Sequence, residues 1–249
     1  MKKELTVGVQ NRFEIRIDEK CFSSADGKEF VAIRNLEFEV EMGSFTCLIG
    51  PSGCGKTSTL RIILGLDKNY TGSVNLHRDR RLAAVFQNPL LLPWRTVEQN
   101  VRLALPEHLQ NKHLSNLFET LGLSELRGRF PSELSLGQAR RVALARAFAV
   151  EPEILVLDEA FVSIDENTAQ KLRLLLLKLW MNNPITILMV THNIREAITL
   201  ADHLILVSPA PGHVLGQFSI PVPRDQRSSE MQAKLIADLA EIYPGIVQT

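Results

Sequence analysis

The stretch Gly50-Pro51-Ser52-Gly53-Cys54-Gly55-Lys56-Thr57 fits the pattern G-x-x-x-x-G-K-[ST]. A loop of this composition wraps a polyphosphate with its own backbone. Its glycines supply unusual dihedrals and allow close approach. Lys56 is placed to reach the β- and γ-phosphates, and the Thr57 hydroxyl to ligate Mg²⁺. The flanks are those the pattern needs. Phe45 to Ile49 reads as a short buried strand and Ser58 to Leu64 as a helix. The N-terminus of that helix adds partial positive charge beneath the phosphates.

Working outward, the 249 residues suffice for one large α/β domain or two small ones, and 45 % apolar composition is ample for a core. The 28 basic and 28 acidic residues cancel, so there is no electrostatic footprint of a nucleic-acid binder. Cys21, Cys47 and Cys54 have no metal-ligand spacing. A disulfide at Cys54 would obstruct the loop, so a reducing compartment is expected. No apolar run follows Met1-Lys2-Lys3-Glu4, so no signal peptide is expected. The longest apolar runs, such as Leu174 to Leu177, fall far short of the roughly 20 residues a spanning helix needs. The sequon Asn69-Tyr70-Thr71 is expected to be inert.

Phe13 to Ile17 and Asn35 to Val40 alternate as half-buried strands do, with turns at Asp26-Gly27 and Met42-Gly43. Ser73 to Leu76 and Leu82 to Phe86 are further strand candidates. From Val97 to Ala149 the apolar spacing is helical, broken at Pro106, Gly122 and Pro131. Ile154 to Asp158, Ile185 to Val190 and Leu204 to Val207 read as buried strands, separated by helices over Thr168 to Met181 and Ile194 to Leu200. Strands alternating with helices predict a mainly parallel sheet, with the helical middle as an inserted lobe.

Four further sites carry weight. Asp158 ends a buried strand and Glu159 follows it. The first could hold Mg²⁺ and the second a water attacking the γ-phosphate, although Asp158 could equally cap the next helix. Gln87 leaves another strand, where an amide can contact metal or water or simply end the strand. His192 lies beyond a third strand, on the side where open parallel sheets bind ligands. There it could donate to phosphate or merely precede a helix cap at Asn193. Leu134-Ser135-Leu136-Gly137-Gln138 opens a long helix. Its free amides could take an anion, while Ser135 as a plain N-cap explains the residues equally well.

Taken together, in this order and spacing, these motifs resemble the ATP-binding subunit of ABC transporters over nearly the whole chain. Gly50 to Thr57 matches the Walker A loop and Gln87 the Q-loop glutamine. Leu134 to Gln138 matches the signature, Ile154 to Asp158 matches Walker B, Ser163-Ile164-Asp165 the D-loop and His192 the switch histidine. The resemblance implies an α/β P-loop NTPase cassette with a mainly parallel core sheet, an N-terminal antiparallel β subdomain and an inserted helical subdomain over about 88–151. One cassette is expected over 1–249, with a short helical tail over about 224–249. It implies ATP held by Gly50, Pro51, Ser52, Gly53, Cys54, Gly55, Lys56, Thr57 and Ser58, with Phe22 stacked on adenine. Ser135, Gly137 and Gln138 would complete the site of a second copy, head to tail. Mg²⁺ would be held by Thr57, Gln87 and Asp158, and catalysis carried by Glu159, His192 and Gln87.

The motifs also depart from the family pattern. Leu136 stands where the signature usually has a glycine, Ala160 replaces a frequent proline, and the D-loop reads Val162-Ser163-Ile164-Asp165. Pro93 to Val101 and Ser208-Pro209-Ala210-Pro211-Gly212 are similar to importer ATPases of the nitrate, sulfonate and taurine group. Such subunits sit as a pair on the cytoplasmic face of the cell membrane beneath two permease subunits, served by a solute-binding protein. No nucleic acid is expected as a partner. The short stretch between Gln87 and Leu134 leaves no room for the coiled coil of DNA-repair relatives. An exporter subunit and a low-turnover regulatory ATPase are the alternatives.

Overall fold

The computed structural model describes residues 11–23, 26–76 and 80–246. The leader expectation at Met1-Lys2-Lys3-Glu4 lies outside the described residues. Strands β1 (Arg12–Ser23), β2 (Glu29–Glu41) and β4 (Thr71–Asn75) form a three-stranded antiparallel sheet in the order β2-β1-β4. Alternation sets its two faces. Phe13, Ile15, Ile17, Leu36, Phe38 and Val40 are buried, while the intervening Glu14, Arg16, Glu37 and Glu39 face water. The buried face packs against Leu48 of the central layer and against Leu60, Ile62 and Ile63 of the helix that follows it in sequence.

A six-stranded sheet forms that layer, in the order β5-β6-β7-β3-β8-β9. Its members are β3 (Phe45–Ile49), β5 (Leu82–Val85), β6 (Ile154–Asp158), β7 (Thr186–Thr191), β8 (His203–Val207) and β9 (Val214–Ser219). All pairings are parallel except β8–β9. β3, β6 and β7 are buried at every position, as strands covered on both faces must be. α1 (Lys56–Ile63) follows β3 on the face toward the antiparallel sheet, and the helices of the rest of the chain cover the other. β9 is an edge strand that the apolar pattern did not predict.

Between β5 and β6 the chain is helical: α2 (Val97–Arg102), α3 (Ser115–Thr120) and α4 (Leu136–Ala149), with three single-turn 3₁₀ segments. Val97, Val101, Phe118, Leu121 and Leu123 pack on Val142 and Ala145 of α4, in a core continuous with that of the sheet. α5 (Glu166–Asn182) and α6 (Ile194–Leu200) flank β7 in sequence, and α7 (Ser229–Ile242) is the one-helix tail. α5 begins two residues before the expected Thr168 because Asp165 is its N-cap, accepting from the Thr168 amide at 2.9 Å.

Candidate functional site

Because β5, β6, β7 and β3 are adjacent and parallel, their carboxyl ends share one edge of the sheet. That edge carries Gln87, Asp158 with Glu159, His192 and the loop Gly50 to Gly55. Gly55 has φ +95°, and a Cβ there would lie 2.5 Å from Ile33 Cγ1. A Cβ on Gly50 would lie 2.8 Å from the Cys54 sulfur and from the Val207 carbonyl. Both glycines are therefore required by the close fit of the loop. Gly55 is also the N-cap of α1 and gives no side-chain cap, so the first-turn amides of Lys56, Thr57 and Ser58 stay open toward the loop.

Lys56 is buried, and its ammonium donates to the carbonyls of Gly50 (2.7 Å) and Pro51 (2.8 Å). The cation is thus held inside the loop curve. The Thr57 hydroxyl donates to Asp158 Oδ1 at 3.1 Å, joining the first turn of α1 to the end of β6. Burial pushes the Asp158 carboxyl above its ordinary value, and the bond from Thr57 offsets only part of that shift. Burial likewise raises the Cys54 thiol, and all three cysteines are free.

Glu159 has φ +45°, and its Oε1 lies 3.1 Å from His192 Nδ1. The turn carrying His192 is anchored from below. The Thr191 hydroxyl donates to the buried Glu196 at 2.7 Å and accepts from the Asn193 amide at 3.0 Å. Asn193 in turn caps α6. Gln87 is exposed. The turn after it is held by Arg146 of α4, which donates to the carbonyls of Pro89 (2.9 Å) and Leu90 (2.8 Å).

Ser135, Gly137 and Gln138 are engaged elsewhere. Ser135 caps α4 in a reciprocal box: its hydroxyl accepts from the Gln138 amide at 3.3 Å, and its amide donates to Gln138 Oε1 at 2.8 Å. Gly137 is buried, and a Cβ there would lie 2.6 Å from the Thr168 methyl. Phe22 is exposed and faces Phe30 across the β1–β2 pair. The buried Lys20 ammonium sits 4.6 Å from the Phe22 ring centroid and is tied to Asp67.

Three contributors were not picked out from the sequence as site residues. Gly212 supports the loop: its amide donates to Ala32 O at 2.9 Å, and a Cβ on it would meet the Cys54 carbonyl at 2.1 Å. Proline-glycine composition marked that turn but not its neighbour. Arg140 and Arg146 reach two loops of the site from α4, while by residue type they look like solvated helix charges.

The ABC transporter family model matches residues 33–162. The chain belongs to the ABC transporter family. This ABC chain is 38 % identical, over 94 % of its length and 99 % of the relative's, to an aliphatic sulfonates import ATP-binding protein of Pseudomonas syringae pv. tomato. It is 36 % identical to a nitrate import ATP-binding protein of Synechocystis, over 87 % of this chain and 35 % of that longer one. Among solved structures, the ATP-binding cassette MJ0796, a post-hydrolysis dimer bound to ADP and Pi, aligns with TM-score 0.71 and 27 % identity, covering 85 % of this chain and 100 % of that one. This ABC chain is an ATP-binding ATPase. Among the described residues no helix is long and apolar enough to cross a membrane.

Proposed function

We propose that this ATPase drives an importer of a small anion, working as a head-to-tail pair beneath two permease subunits on the cytoplasmic face of the cell membrane. The observation that carries the reading is the convergence of Lys56, the Thr57–Asp158 pair and the Glu159–His192 pair on one edge of the parallel sheet. Relatives named for import of sulfonates and of nitrate support this choice of solute class.

Lys56, the loop amides and the first turn of α1 bind the phosphates, with Phe22 on the adenine. Glu159 accepts the proton of the attacking water, and His192 orients the Glu159 carboxylate. Thr57 and Asp158 offer hard oxygen donors 3.1 Å apart, a set that suits Mg²⁺ completed by phosphate and water ligands. These two residues would hold the ion with help from Gln87, and it would neutralise phosphate charge. The partner's Ser135, Gly137 and Gln138 would close the site from outside. The helical segment over about 88–151 would receive the permeases. It carries exposed Leu90, Trp94, Leu103 and Phe130, apolar surface of the kind that marks contact sites.

Glu159→Gln tests the reading. The amide keeps the size but cannot accept the proton, so hydrolysis should fall about 10²–10⁴-fold, roughly 3–5 kcal/mol of barrier. ATP binding should survive, and size-exclusion chromatography with ATP should show a dimer. Hydrolysis at the wild-type rate would place the base elsewhere.

A further inference from the structure

Arg140 stands in the second turn of α4 and is 3 % exposed. Its guanidinium ion-pairs with no carboxylate among the described residues. It donates to three backbone carbonyls of one short loop: Glu159 at 3.3 Å, Ala160 and Val162. Among the described residues its Nε has no hydrogen-bond partner. Burial lowers its pKa, and the charge of Glu196 offsets that only in part. A desolvated cation is a costly way to fill space. An apolar side chain would pack α4 against the loop with less penalty.

The loop explains the arginine. Two non-glycine residues, Glu159 (φ +45°) and Ser163 (φ +64°), adopt left-handed backbone within five positions. That conformation is unfavourable for L-residues and persists only where the surroundings impose it. Of the carbonyls gathered by Arg140, one belongs to Glu159 itself and those of Ala160 and Val162 lie between the two left-handed residues. The same loop carries the Glu159 carboxylate toward His192.

Resting on the assignment of Glu159 as base, we infer that Arg140 is a positioning residue for that base. It links the loop of Glu159 to the helix that begins at Ser135, so whatever engages Ser135 to Gln138 also bears on the orientation of Glu159. A misplacement of about 1 Å at a reacting group can cost about 10²-fold in rate.

The test uses the full-length chain with MgATP, comparing Arg140→Lys and Arg140→Met with the wild type and with Glu159→Gln. The lysine keeps the charge but cannot span three carbonyls, and the methionine keeps only the stem. We expect kcat to fall in the order Arg, Lys, Met, by tenfold or more at Met, with KM for MgATP within twofold and each variant folded at the assay temperature. Amide exchange should rise over residues 159–163. If the methionine variant does not fold, the lysine variant decides, through reduced kcat at unchanged KM and Tm. Wild-type kcat in either folded variant overturns the inference. So does a loss that tracks the unfolded fraction. Should Glu159→Gln hydrolyse at the wild-type rate, the base assignment fails instead, a separate result.

Discussion

Gly137→Ala tests whether the signature glycine serves packing, nucleotide or both. The added Cβ would stand 2.6 Å from Thr168 Cγ2, well inside contact distance, and Thr168 is a β-branched residue in the first turn of α5, stiff at χ1. Overpacking of this kind costs about 1–3 kcal/mol. Replacing glycine by alanine in a helix returns about 1 kcal/mol, leaving a net loss of about 0–2 kcal/mol. Thr168→Ser deletes the opposing methyl. The pair Gly137→Ala/Thr168→Ser should therefore recover stability, with a coupling of about 1–2 kcal/mol. Urea denaturation of the four proteins of the cycle measures it. Coupling below about 0.5 kcal/mol, the ordinary error of additivity, would refute the steric account. ATPase activity of the double variant then separates the roles. Activity restored with stability assigns Gly137 to packing alone. Activity still lost in a stable protein assigns it also to approach toward the partner's nucleotide.

Leu136 is 43 % exposed, so Leu136→Gly should sacrifice little packing and keep or raise ATPase turnover by letting the signature backbone approach more closely; a collapse of turnover would make the leucine a working contact. Asp158 has its carboxyl raised by burial, so its charged form destabilises the folded state at neutral pH. Asp158→Asn should raise Tm near pH 7 without nucleotide. The gain should shrink as pH falls through the raised value and vanish below the ordinary Asp value of about 3.9, while MgATP hydrolysis drops. Calorimetry across pH checks this, and a pH-independent or negative shift would refute it.

Much of the architecture was legible because burial on both faces forces continuous apolar runs: Ile154 to Asp158 matches β6, and Ile194 to Leu200 matches α6. β9 escaped notice for the opposite reason. Val214–Ser219 is a half-exposed edge, interrupted by Gly216. That glycine is explained only by distant chain, since a Cβ there would meet the Tyr243 hydroxyl at 2.5 Å. Asp18 to Lys20 is strand because Glu19 and Lys20 pair with Arg34 and Ile33 of β2, and Glu19 also with Thr71 of β4, while Glu29 and Phe30 are strand because they pair with Ser23 and Phe22 of β1; pairing, not pattern, makes them so. Lys56, Thr57, Asp158 and Glu159 were legible because their types are tied to loop and strand ends. Arg140 was not, because Arg140 and Arg141 have the same type and only the rotation of α4 sends one toward Glu159 and the other toward Leu121.

At Ser135, cap and anion site are compatible. The capping box uses the Ser135 hydroxyl as acceptor and satisfies the amides of Ser135 and Gln138. It leaves the first-turn amides of Leu136 and Gly137 ahead of the i−4 ladder, together with the serine hydroxyl proton. A cap that fixes the direction of this helix end while sparing three donors pre-organises it for an acceptor from outside the chain. The same helix holds the turn after Gln87 through Arg146 and the loop of Glu159 through Arg140. An anion drawn onto the end of α4 therefore acts on a rod already attached to two loops of the chain's own site. In a head-to-tail pair, ATP bound by one copy would thereby bear on the hydrolytic geometry of the other.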